Sequence, residues 1–140
     1  MSEGGMPPAK RALSIEEMQD ILDELAEEFP PEFYHNLEGG IVLLRRAKRG
    51  AEDGLFVLGE YIRGGGLGRH IAIYYGSFLR VHGGLSRSRM KAQLRETLKH
   101  EFTHHFESLA GVRNLEVQDE RELEEYRERR RKGHKGWPMK

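Results

Sequence analysis

Apolar residues in this chain recur with two different periods. From Ser14 onward, Ile15, Met18, Leu22, Leu25 and Phe29 follow one another mostly at three- and four-residue steps, while Asp20, Asp23, Glu24, Glu27 and Glu28 occupy positions between them. This spacing predicts an amphipathic helix with one apolar stripe. Ser14 and Glu17 form an S-x-x-E capping box at its start, and Pro30-Pro31 stops it. After a connector the pattern becomes strand-like. Residues 41–44 and 55–62 are predicted strands, and residues 70–75 a third, with Ile71, Ile73 and Tyr75 alternating against His70, Ala72 and Tyr74. Residues 47–54 read as a polar loop and Gly64-Gly65-Gly66 as a turn. Phe78 to His82 extends or follows the third strand, up to the break at Gly83-Gly84.

A long helix is predicted from Ser86 or Ser88 to Leu109, because Met90, Leu94, Leu98 and Phe102 repeat every four residues and Phe106 and Leu109 continue the stripe. Gly111 is its expected stop. A final helix is expected over residues 120–131, with Asp119 as N-cap and Glu122 completing the box. The order helix, strands, long helix, final helix predicts an α+β fold with a small mixed or antiparallel sheet. Residues 1–13 read as a flexible arm, 14–132 as a single domain and 133–140 as a tail.

At 140 residues and 16.2 kDa the chain has room for one ordinary domain. Lys+Arg and Asp+Glu both number 23, so a globally basic nucleic-acid binder is disfavoured. The basic run Arg127, Arg129, Arg130, Arg131, Lys132 and Lys135 suits the negative end of a helix dipole, with Glu122, Glu124 and Glu125 upstream. The opening MSEGGMPPAKRALS has no apolar signal core, and no run reaches the ~18 apolar residues that span a bilayer, so a cytoplasmic protein without membrane contact is expected. Gly64 to Gly68 lacks the Gly-Lys-Ser/Thr ending of a phosphate loop. With no cysteine, disulfides, thiolate nucleophiles and Cys-ligated metals are excluded, and any metal must be held by His, Asp and Glu.

His100-Glu101-Phe102-Thr103-His104 is an H-E-x-x-H sequence inside the predicted long helix. Residues i and i+4 stand one above the other on a helix face, so both imidazoles can reach one zinc ion from a single rigid element. Glu101, rotated by about 100° from His100, is placed to act as general base on a water at the ion without being a ligand. His105 points away from His104 and reads as a packing or supporting residue, and His35, His70 and His82 as ordinary histidines. Tyr74, Tyr75 and Tyr126 are candidates for stabilising an oxyanion.

From about Phe29 to Tyr126 the chain resembles the minimal zincin-like metallopeptidase family of bacterial single-domain proteins. The segments that carry this are FPPEFYHNLEGGIVLL, LGEYIRGG, HIAIYYGSFLR and, most specifically, LKHEFTHHF followed later by an Asp-Glu pair. The resemblance implies a zinc metallopeptidase that hydrolyses peptide bonds, with His100 and His104 as ligands and Glu101 as base. It also implies a peptide or protein substrate paired along an exposed edge strand, here near His70–Tyr75, with an ordinary core strand as the other reading of that segment. In the family's commoner form an Asp follows the motif after a short Gly-containing turn, whereas here ESLAGVRNLEVQ intervenes before Asp119. A reversal after Gly111 would bring Asp119 toward the histidines as third ligand, with Glu116 and Glu120 as alternatives and N-capping as a competing role for Asp119. Two other readings stand beside the peptidase: a zinc-binding regulatory or interaction module without significant protease activity, and a metal-free interaction protein using the basic C-terminal helix.

Overall fold

Helix α1, Ile15–Glu28, begins with the expected capping box. The Glu17 amide donates to Ser14 Oγ at 3.1 Å and the Ser14 amide to Glu17 Oε1 at 2.8 Å. Met18, Ile21, Leu22 and Leu25 are buried along it. The computed structural model describes residues 12–131, with the side chains of 114–117, 119, 130 and 131 outside that description. The arm and tail assigned to residues 1–13 and 133–140 therefore fall almost wholly outside the described residues. Ala12 and Leu13 are the exceptions: Ala12 is exposed, but Leu13 is buried in the core and its carbonyl accepts from the Tyr75 hydroxyl at 2.6 Å, so packing starts one residue before the cap.

Beyond a 3-10 turn, Pro31–Tyr34, come β1 (Gly40–Leu44), β2 (Lys48–Arg49), β3 (Phe56–Val57), β4 (Gly59–Ile62), β5 (His70–Tyr74), α2 (Tyr75–His82) and α3 (Arg87–Arg131). The architecture is α+β with small mixed sheets. One sheet has the order β1-β5-β4, with β1 parallel and β4 antiparallel to β5. The other is a β2–β3 hairpin, which occupies part of the expected polar loop. Ile71 and Ile73 of β5 pack with the α1 stripe and with Met90, Leu94, Leu98 and Phe102 of α3 in one core.

The strand expected over residues 55–62 is divided at Leu58 into β3 and β4, which belong to different sheets, and three further expectations change. The segment His70–Tyr74 is the central strand and not an edge: every residue of it is buried and both its sides carry a ladder. Although Ile alternates with His, Ala and Tyr along it, both faces are covered. The edges are β1 and β4. Second, residues 75–82 are helical, because Tyr75, Phe78, Leu79 and His82 also satisfy the helical period. Third, α3 does not stop at Gly111, and no separate final helix starts at Glu120. A glycine inside a helix costs only about 1 kcal/mol relative to alanine, and good helix formers flank this one. Asp119 accordingly lies within α3 and is not an N-cap.

The chain divides into two compact units, residues 1–105 and 106–140. The first holds both sheets, α1, α2 and α3 through His105. The described part of the second is helical through Arg131. No helix among the described residues is long and apolar enough to cross a membrane.

Candidate metal and hydrolytic site

Packing of Phe102 determines which way the helix turns its histidines. Phe102 is 1% exposed, with its ring centroid 5.0 Å from Phe29 and 5.3 Å from both Phe33 and Tyr34. The Tyr34 hydroxyl ties this aromatic group back to α1 by donating to the Ala26 carbonyl at 2.7 Å. With Leu98 and Phe102 turned into the core, His100 and His104 fall on the exposed side of α3.

The two imidazoles converge. Their Nε2 atoms are 3.1 Å apart and their rings are nearly perpendicular, with an interplanar angle of 88°. One ring can donate to the other; if both Nε2 atoms are unprotonated, two lone pairs meet in the same space. Two nitrogens sharing a tetrahedral zinc at bond lengths of 2.0–2.1 Å stand about 3.3–3.4 Å apart. The pair thus fits a divalent cation after a shift of a few tenths of an ångström.

Glu101 is 6% exposed. Burial pushes its carboxyl above the usual carboxylate range, opposed by the neighbouring His100 and His104 and by a hydrogen bond from the Tyr61 backbone amide. That amide belongs to β4. Because Tyr74 N–H donates to the Leu58 carbonyl at 3.0 Å, the alternating ladder turns the backbone groups of Gly59 and Tyr61 away from β5. Their outward edge faces a cleft of about 420 Å³. Phe56, Val57, Leu58 and Gly59 line one side of it, and Glu96, Thr97, His100 and Glu101 the other.

His105 holds β4 to the same helix face. It is fully buried, and its Nε2 lies 2.8 Å from the His35 carbonyl, an acceptor, so Nε2 carries the proton. Nδ1 therefore accepts from the Tyr61 hydroxyl at 2.7 Å, and the Tyr61 oxygen accepts from Arg69 Nη1 at 3.2 Å. Tyr61 thus meets α3 twice, through its amide at Glu101 and through its hydroxyl at His105. Sequence reading passed over Tyr61; the Leu-Gly-x-Tyr segment containing it was the available signal.

Close approach of strand to helix also explains Gly59. A Cβ there would lie 2.9 Å from Thr97 Cγ2 and 3.1 Å from Ile73 Cδ1. Thr97 is branched and its hydroxyl donates to the Gln93 carbonyl, so it has little room to yield. Gly59→Ala is expected to cost about 1–3 kcal/mol, the range for overpacking. Urea unfolding measures this, and an unchanged midpoint would mean that β4 moves off the helix freely.

The other candidates are placed as follows. His70 is buried, its Nδ1 donating to the Gly68 carbonyl at 2.8 Å. His82 packs against Phe78. The Tyr74 hydroxyl donates to Glu60 and the Tyr75 hydroxyl to Leu13, so both are engaged away from the histidine pair. Tyr126 and Glu120 lie on α3 in the second unit, and the side chains of Asp119 and Glu116 are outside the described ones. Among the described residues no group of three His, Asp or Glu side chains forms a metal-binding set, so the described donors are the two imidazoles.

Fold and site together define a small α+β protein in which a three-stranded sheet supports a helix displaying two convergent histidines and a recessed carboxylate. No protein-family model and no curated protein matches the chain. Among solved structures it is similar to a conserved hypothetical protein from Thermus thermophilus, at 40% identity and a TM-score of 0.61, covering 70% of this chain and 98% of that one. The chain belongs to the family of that protein.

Proposed function

We propose that the protein is a zinc-dependent metallopeptidase of the zincin-like kind. The observation that carries this reading is the 3.1 Å approach of the His100 and His104 Nε2 atoms beside a buried carboxylate, at the wall of a cleft. His100 and His104 would hold the ion; a third ligand from Asp119, Glu116 or Glu120 would need the chain reversal after Gly111, which the continuous helix α3 does not make. When bound, zinc supplies Lewis acidity, polarising a carbonyl and making water a stronger acid. Glu101 takes the proton of the attacking water and returns it to the leaving amine, roles favoured by a carboxyl whose proton affinity burial has raised. An extended peptide would add to the sheet along the outward edge of β4, not along β5, whose two sides are already paired.

The test couples metal and chemistry. Apo protein is titrated with zinc by calorimetry, and the loaded protein is incubated with a diverse peptide mixture analysed by mass spectrometry. One zinc per chain is expected, with cleavage products that disappear under a chelator and return on adding zinc. Stoichiometric zinc uptake without any cleavage would favour a zinc-binding module, and failure to take up zinc would remove both readings.

A further inference from the structure

Two arginines stand against Phe56, a residue on the wall of the cleft opposite the histidine helix. Phe56 lines this cleft together with His100 and Glu101. Arg49 is its cross-strand partner in the β2–β3 hairpin, and the guanidinium carbon lies 4.3 Å from the Phe56 ring centroid. Arg80, from α2, comes within 5.7 Å of the same ring. Both arginines are exposed. Arg49 gives one N–H to the Gly54 carbonyl at 2.8 Å, and among the described residues neither arginine has an ion-pair partner.

Their neighbour Lys48 behaves differently. It is the adjacent residue on β2, and its ammonium is 2.7 Å from Glu60. Across the cleft, Glu96 is exposed, with Lys99 at 3.7 Å and the charge of Arg95 beside it. Two guanidinium groups thus flank the Phe56 side of the cleft, and the carboxylates Glu96 and Glu101 line the helix side. A guanidinium over an aromatic ring is held in place by the ring while its remaining N–H groups stay available, the arrangement that receives a carboxylate in a bidentate manner.

We infer that Arg49 and Arg80 form a specificity site for an acidic side chain of a peptide lying in the cleft, with Phe56 as their platform. The inference rests on the peptidase reading of the same cleft and adds its substrate class. The acidic side chain sits on the hairpin side, clear of Glu96, while the peptide backbone runs toward Glu101.

Binding tests this without turnover. Two fluorescein-labelled pools of random octapeptides, one with a fixed Glu and one with Gln in its place, are titrated into zinc-loaded Glu101→Gln protein and followed by anisotropy. The Glu pool is expected to bind about tenfold tighter, and added salt should shrink the difference. Adding Arg49→Ala and Arg80→Ala should abolish the preference and leave the Gln pool unchanged, with circular dichroism confirming the fold. Charge reversal, Arg49→Glu with Arg80→Glu, should transfer the preference to a pool with a fixed Lys. Equal behaviour of the Glu and Gln pools, whether both bind or neither does, overturns the inference, as does a preference that survives the double alanine variant. Tighter binding of a single-stranded RNA oligonucleotide than of the Glu pool, lost in the same variant, overturns it in favour of nucleic acid. Selective binding by Glu101→Gln without cleavage by the zinc-loaded unmodified protein would sink the peptidase reading and leave the acidic-peptide site standing.

Discussion

Glu101→Gln is expected to reduce peptide hydrolysis by about 10²–10⁴-fold, the range that a positioned general base contributes, while zinc uptake stays as it was. Gln has nearly the same shape, and its carbonyl oxygen can still accept from the Tyr61 amide that holds Glu101. What it lacks is a site for the proton. Because Glu101 is 6% exposed, exchanging it for a neutral group also removes a charge held out of water, so no loss of stability is expected. Single-turnover cleavage of a peptide cut by the unmodified protein, run beside a zinc titration, reads both effects. Undiminished cleavage would take the base role away from Glu101. Loss of zinc together with cleavage would make Glu101 a ligand.

The second large effect belongs to His104. His104→Ala should weaken zinc binding by more than about a hundredfold, since removing groups that merely support a ligand already costs 10–100-fold. His104 is exposed on α3, so the variant should keep its fold and its far-ultraviolet spectrum. Calorimetry against a competing chelator gives the affinity. His105 is not positioned to take over, because its two ring nitrogens are committed to the Tyr61 hydroxyl and the His35 carbonyl. A variant that titrates like the unmodified protein would place the metal elsewhere.

The edge of β4 links these chemical predictions to the fold. Glu101 and His105 lie four residues apart on α3 and hold the backbone and the side chain of Tyr61 respectively. Gly59 lets the same strand come close to Thr97. On the proposed peptidase reading, the strand that would take a peptide is fastened to the helix bearing Glu101, which would keep the reacting carbonyl and the base in register. On the far side of α3, Glu24 is held at about 2 by its hydrogen bonds from Arg87 and Lys91. Lys91 and Arg95 also meet Glu28, at 3.4 and 3.0 Å, so α1 and α3 share a ladder of exposed ion pairs over their common core.

Features that depend on neighbours along the chain were legible from the residues themselves. The Ser14–Glu17 box formed as written. The stripe from Met90 to Phe102 is buried, and the H-E-x-x-H spacing on a helix leads to convergent imidazoles because i and i+4 share a face. Periodicity reports which side of an element is covered, and a helix translates spacing directly into geometry. Pairing of strands depends on segments far apart in sequence. No property of HIAIY says that β1 takes one side and β4 the other, so only the tertiary structure made it the centre and moved the available edge to β4. The same holds for Tyr61, Gly59 and Arg49, whose roles come from what stands opposite them. α3 continues through Gly111 because a glycine's local preference is weak against helix formers on both sides. Local spacing therefore determined which imidazoles and carboxylate the helix brings together, and long-range packing decided which strand faces them.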